Sequence, residues 1–165
     1  MQKRVLSLLV DNTAGVTTRV SGLFSRRGYN IDSITGGVTA DERFSRITVV
    51  CSGDELILEQ ITNQLAKLVD VRDIKPLIPD NSVCHELMMI KVAAKPEQRQ
   101  GLISIADVFH AKVADVSVDS MILEMTGNHN KLEAFLELMG DYEILELART
   151  GMTGLSRGSQ DVTYF

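Results

Sequence analysis

The sequence has no tryptophan, two cysteines and three prolines among 165 residues, and its aromatic content is 5%. Cys51 and Cys84 lie far apart, without a CxxC pair or a histidine at metal-ligand spacing, so the sequence favours neither a disulfide framework nor a zinc site. No apolar run approaches the roughly 20 residues of a membrane span. These absences predict a cytoplasmic protein with reduced thiols and no membrane partner.

An excess of positive charge is also lacking. Seventeen Lys and Arg face twenty-two Asp and Glu, which gives a net charge of −5. Nucleic-acid-binding domains carry basic patches, and sheets that bind RNA present aromatic side chains on which bases stack. With neither feature, a nucleic-acid partner is not expected.

No catalytic constellation is apparent. His85, His110 and His129 are widely separated, and none lies beside a plausible nucleophile. Gly15 belongs to neither a GxGxxG nor a GxxxxGK[ST] pattern, so a nucleotide-binding loop is not supported. We therefore predict that the chain is not an enzyme and holds no metal or cofactor. A small enzyme working through Asp11 or one of the histidines is the alternative.

The chain is organised around its first strand-to-helix turn. An apolar run from Val5 to Val10 stops at Asp11-Asn12, and helical spacing begins after Gly15. Small residues in this turn leave the first N–H groups of the helix unscreened, and such groups attract carboxylates or phosphates. The pattern is equally typical of a plain strand-to-helix turn.

The first half predicts strand, helix, strand, strand, helix, strand, the βαββαβ order of a ferredoxin-like sandwich. The weakest element is the strand over 30–38, where Gly36-Gly37 favours a bulge or the close approach of another backbone. In the usual strand order of this fold, the strand over 30–38 lies at an edge. Such an edge must be covered or paired.

The same order repeats after a short linker over 78–83. We therefore predict an α+β chain of two tandem ferredoxin-like sandwiches, with domains over 1–77 and 84–165. The second domain includes a C-terminal tail over 151–165 with three glycines, which is either disordered or an interaction arm.

Three segments carry a resemblance to a known family: VLSLLVDNTAGVTTRVSGLFSRRGYNI, LEQITNQLAKLVDV and ELARTGMTGLSRG. Together they resemble the small, regulatory subunit of acetohydroxyacid synthase, also called acetolactate synthase. The resemblance implies that the first domain is an ACT domain that binds valine or another branched-chain amino acid. It also implies a catalytic partner carrying thiamine diphosphate, magnesium and FAD, which this chain activates and makes sensitive to feedback inhibition.

The resemblance also implies a ligand site. Asn12 would hydrogen-bond the amino acid, and the amides of Gly15 and Val16 would receive its carboxylate. In a homodimer formed through the strand over 30–38, Asn30 and Ile31 of one chain would approach this turn in the other. From the residues alone, the favoured interpretation of Asn30 is a turn residue after Gly28-Tyr29. The alternative function is a stand-alone ACT-type sensor that regulates a different enzyme.

Overall fold

The βαββαβ order is present twice in the computed structural model, which describes residues 1–160 and 162. The chain divides into two units. One contains residues 1–84 and the segment from Gly151 onward, and the other contains residues 85–150. The prediction of two ferredoxin-like sandwiches is confirmed.

The first unit is a four-stranded antiparallel sheet with the strand order β2-β3-β1-β4. Its elements, in chain order, are β1 (Gln2–Asp11), α1 (Val16–Arg27), β2 (Asn30–Val38), β3 (Phe44–Gly53), α2 (Glu55–Ala66) and β4 (Val71–Leu77). Since β2 has one neighbour in this order, it is an edge strand within the described residues, as the sequence predicts.

Both helices of the first unit bury one apolar face against the sheet. Phe24 of α1 and Leu58 and Ile61 of α2 are about 1% exposed or less, and they share a core with alternate residues of β1 and β3. α1 begins after Gly15 at φ +84° and is capped at its other end by Gly28 at φ +68°. α2 begins at Asp54, whose side chain accepts a hydrogen bond from the Ile57 amide. These are the boundaries that the sequence predicts.

Strand β2 contains a bulge, but not where its glycines suggest. The pairing register with β3 shifts between Ile31 and Ser33, whereas Gly36 and Gly37 pair in continuous register. Because of the shift, Ile31 and Ile34 pair with Cys51 and Val49, which both belong to the core. A single extra residue at Asp32 thus keeps both isoleucines on the helix-covered side of the sheet.

The second unit contains β5 (Ser82–Ala93) from His85 onward, α3 (Arg99–Val108), β6 (Lys112–Val116), β7 (Ser120–Gly127), α4 (His129–Leu138) and β8 (Ile144–Arg149), with the strand order β6-β7-β5-β8. Its core centres on Phe135, which is fully buried and meets Phe109 edge-on at 5.4 Å between ring centroids. Residues 96–98, just before α3, form a 3₁₀ turn.

The tail does not belong to the second domain, to which the sequence analysis assigned it. After Thr150 the chain joins the first unit and forms a short strand, β9 (Thr153–Ser156), which pairs with β5. The amide of Arg157 donates to the Asn81 carbonyl oxygen at 2.8 Å. The predicted linker over 78–83 is likewise ordered, as a 3₁₀ turn over 79–81 followed by the start of β5. Long-range pairing of this kind leaves no local signal in the sequence. Residues 161 and 163–165 lie outside the described part.

Gly154 fixes the position of this returning segment. A Cβ atom there would lie 2.5 Å from Cys84 Sγ and 2.9 Å from the Val83 carbonyl oxygen. We expect Gly154→Ala to lower the free energy of unfolding of the first unit by about 1–3 kcal/mol, since overpacking forces neighbours to shift. Urea denaturation followed by circular dichroism measures the loss. Gly140→Ala is the matched control, since its Cβ would meet nothing within 4 Å. Equal stability of the two variants would contradict the packing of the tail.

Candidate functional site

A cavity of about 360 Å³ opens where β1 ends and α1 begins. One side of it is polar and comes from the β1–α1 turn. The other side has apolar or small side chains from β2 and β3. In the sheet, β3 lies next to β1 and β2 lies next to β3. The lining residues are Val10, Asp11, Asn12, Thr13, Val16, Thr17, Ile34, Gly36, Gly37, Ser45 and Ile47.

The N-terminus of α1 is uncapped. Gly15 supplies no side chain, no side-chain hydrogen bond caps the helix, and its first turn carries no acidic residue. The Val16 amide approaches the Thr13 carbonyl oxygen only at 3.5 Å, the outer limit of a hydrogen bond. The first N–H groups and the positive end of the helix dipole are therefore available to an anion.

Asn12 is held in place by β3 and the loop before it. Its backbone amide donates to the Arg43 carbonyl oxygen at 2.8 Å, and its side-chain Nδ2 donates to the Glu42 carbonyl oxygen at 2.8 Å. The Ser45 hydroxyl donates to Asn12 Oδ1 at 3.2 Å. An amide oxygen accepts two hydrogen bonds, so Oδ1 keeps one acceptor position for a ligand.

Two ion pairs flank the turn. Arg72 binds both carboxylate oxygens of Asp11 at 2.7 Å, and this hydrogen bonding lowers the pKa of Asp11. Asp11 is thus a carboxylate paired with Arg72, and its lowered pKa is opposite in direction to the raised pKa of a general base. On the other side, Asp70 accepts hydrogen bonds from Arg19, and the pKa of Arg19 is raised by them.

The predicted site residues divide into two groups. Asn12 and Val16 line the cavity, and Gly15, which is not among the lining residues, lies between them in the chain at the start of α1. Asn30 and Ile31 do not line it. They pair with Ser52 and Cys51, at the end of β2 far from Gly36 and Gly37.

The sequence analysis missed the cavity's second wall. Ile34, Gly36 and Ile47 were not predicted as site residues, although the alternation of β3 does place Ile47 on the helix side. The exact pairing of Gly36 with Ile47 is what brings β2 to the turn. That register is set by the loop over 39–43 that joins β2 to β3, whereas the bulge at Asp32 lies beyond it and shifts only Asn30 and Ile31.

Two further reactive groups, the Cys51 thiol and the His129 imidazole, are buried or paired. Burial raises the pKa of Cys51 to about 11, so its thiol stays protonated and unreactive. His129 lies among Glu86, Glu133 and Arg149, and Arg149 bonds both carboxylates. Within residues 1–160 and 162, no group of three His, Cys, Asp or Glu side chains is arranged to hold a metal ion. In the same residues, no helix is long and apolar enough to cross a membrane.

Comparison with known proteins connects this geometry to a family. Residues 6–73 match the model of the AHAS small subunit-like ACT domain, and residues 85–158 match the model of the small subunit of acetolactate synthase. A probable acetolactate synthase small subunit from Archaeoglobus fulgidus is 44% identical over 158 residues, covering 96% of this chain and 99% of that protein. This chain belongs to the acetolactate synthase small subunit family.

Other relatives agree with this placement in the family. The acetolactate synthase small subunit of Mycolicibacterium smegmatis is 46% identical over 157 residues, covering 95% of this chain and 92% of that one. The crystal structure of the small subunit from Thermotoga maritima superposes with a TM-score of 0.89 at 37% identity, covering 96% and 99% of the two chains. The family resemblance and the assignment of the first domain as an ACT domain are confirmed, and a small subunit implies a large, catalytic subunit as partner.

Proposed function

We propose that this chain is a non-catalytic regulatory subunit that activates the catalytic subunit of acetolactate synthase and confers feedback inhibition by valine or another branched-chain amino acid. The observation that carries the proposal is the cavity at the β1–α1 turn, which joins a free helix N-terminus to an apolar wall. An aliphatic amino acid likewise combines a charged carboxylate with an apolar side chain. Its carboxylate suits the helix N-terminus, and its side chain suits the apolar wall.

In the proposed complex, the ligand carboxylate accepts hydrogen bonds from the amides of Gly15 and Val16. Asn12 Oδ1, already oriented by Ser45, accepts a hydrogen bond from the ligand's ammonium group. The branched side chain lies against Ile34 and Ile47, which line the cavity. Polar groups thus fix the ligand's orientation and apolar contact selects its side chain, as in small-molecule sites generally.

We further propose that the site is shared in a homodimer. Strand β2 is the edge of its sheet, with Ile34 37% exposed and Val38 60% exposed. Antiparallel pairing of β2 with its copy about a two-fold axis at Ser33 would set Asn30 of the second chain opposite Gly36. Asn30 and Ile31 would then reach the cavity of the other protomer, although they do not reach their own.

The chemistry of the synthase belongs to its catalytic subunit in this proposal. Thiamine diphosphate, magnesium and FAD, the cofactors that the resemblance implies, would be bound there, and both subunits would act in the cytoplasm. The decisive experiment measures acetolactate formation by the cognate catalytic subunit with and without this chain, and with and without valine. Activation together with valine inhibition supports the proposal. If neither appears and a different enzyme co-purifies with the chain, a stand-alone sensor is the better account.

The proposed pairing of β2 with its copy can be tested through the oligomeric state of the chain. We expect the chain to be a dimer at micromolar concentration by light scattering, and Ile34→Pro to shift it to a monomer, because proline removes an N–H group and does not fit a paired strand. Val69→Pro is the control, because Val69 is 82% exposed and lies outside the sheet. A wild-type chain that sediments as a monomer would contradict the shared site.

A further inference from the structure

Asp70 is a largely buried residue, 8% exposed overall, and its side chain is 11% exposed. It lies in the turn between α2 and β4, outside the apolar core. Burying a carboxylate is costly unless it is paired and hydrogen-bonded. The hydrogen bonds that Asp70 makes therefore indicate what this buried carboxylate does.

The hydrogen-bond partners of Asp70 lie on both sides of the β1–α1 turn. The Asp70 carbonyl oxygen accepts from the Asp11 amide at 2.9 Å, which fixes the end of β1. The Asp70 carboxylate accepts from Arg19 Nε at 2.5 Å and from Nη2 at 3.0 Å. Nη2 of Arg19 also reaches the Ala14 carbonyl oxygen at 3.3 Å, so the guanidinium ties the turn to Asp70.

The Arg19 guanidinium lies close to the backbone of the turn at Gly15. A Cβ atom on Gly15 would lie 2.8 Å from Arg19 Nη1, and Gly15 itself has φ +84°, which favours glycine. Neither Arg19 nor Asp70 lines the cavity. They therefore make no contact with a ligand in the cavity, and their hydrogen bonds to the turn act on it through the backbone.

We infer that Arg19 and Asp70 are positioning residues of the amino-acid site, which hold the Gly15 and Val16 amides in the orientation that receives the ligand's carboxylate. The inference rests on the proposed function, since it assumes that an amino acid binds in this cavity. Pre-oriented donors bind a carboxylate more tightly because no ordering is needed when the ligand arrives. The pair is fixed before the ligand binds, and it acts on one end of the ligand only.

A pair of ligands isolates this effect. L-valine carries the carboxylate, and L-valinamide replaces it with a neutral amide on the same side chain. In the full-length chain, we expect Asp70→Asn to weaken valine binding about tenfold, equivalent to about 1.4 kcal/mol, and valinamide binding less than about twofold. Titration calorimetry measures the first affinity, and competition with valine measures the second.

Two further variants complete the test. Arg19→Lys keeps a cation beside Asp70 but cannot bridge Asp70 and Ala14 with a planar fork, so it should fold and still lose valine affinity selectively. Glu55→Gln is the matched control, because it removes the Arg4–Glu55 pair of the same unit, also 2.5 Å long, at the far end of the sheet. It should leave both affinities unchanged.

The possible results distinguish a failure of the positioning role from a failure of the proposed function. Equal losses for valine and valinamide, or wild-type valine affinity in Asp70→Asn and Arg19→Lys, would overturn the positioning role while leaving the proposed site intact. A wild-type chain that binds no branched-chain amino acid would overturn the proposed function, and this inference with it.

Discussion

Gly15→Asp is expected to weaken valine binding about a hundredfold while leaving activation of the catalytic subunit intact. The new carboxylate would lie at the N-terminus of α1, where the ligand's own carboxylate is proposed to bind. It would also lie beside Arg19, since a Cβ at this position is 2.8 Å from Nη1. Losing a charge-assisted hydrogen bond and adding repulsion costs about 2–3 kcal/mol, or roughly a hundredfold in affinity.

Titration calorimetry with valine gives the affinity, and acetolactate formation by the catalytic subunit gives the activation. Gly15→Asn has the same shape without the charge, so it should lose less affinity than Gly15→Asp. Gly28→Asn tests backbone strain alone, since Gly28 has φ +68° at the opposite end of α1. Valine binding that survives in Gly15→Asp would place the ligand elsewhere. A comparable loss in Gly28→Asn would attribute the effect to the helix.

Valine is expected to stabilise the wild-type chain against unfolding by about 2.7 kcal/mol when present at a hundred times its dissociation constant. Alanine, lacking two carbons, should bind about 1.5 kcal/mol more weakly if the apolar wall contacts the side chain. The wall is formed in part by Ile34 and Ile47. Thermal unfolding with each amino acid at equal concentration measures the difference.

A variant of the wall tests which residues produce this discrimination. Ile34→Ala should narrow the gap between valine and alanine, because Ile34 lines the cavity. Leu56→Ala is the control, because Leu56 is 64% exposed on α2 and lines no part of the cavity. A melting temperature that does not respond to valine, leucine or isoleucine would leave the site without support, and so would an unchanged gap in Ile34→Ala.

Part of the candidate site could be predicted because it is local in the chain. Asn12, Gly15 and Val16 follow one another across a strand-to-helix turn, and the pattern of small residues before a helix is visible in sequence. The ligand-binding roles of all five predicted residues came from the family resemblance and stay predictions, and those of Asn30 and Ile31 depend in addition on a second chain. The apolar wall could not be predicted, since the pairing register of β2 with β3 sets which residues of β2 reach the turn, and that register depends on the conformation of the loop over 39–43.

The sequence by itself determined the helices and strands of the two βαββαβ units, their order and the fold class. Those depend on hydrophobic period, capping residues and turn residues, which act over a few neighbouring positions. Only the tertiary structure decided that the tail returns to the first unit, and that Arg19 meets Asp70 across 51 residues of chain. Such contacts depend on strand register and on the space left by packed side chains, for example beside Gly154. A sequence pattern does not specify them because many distant pairs have equally suitable chemistry, and the folded backbone brings only one of them together.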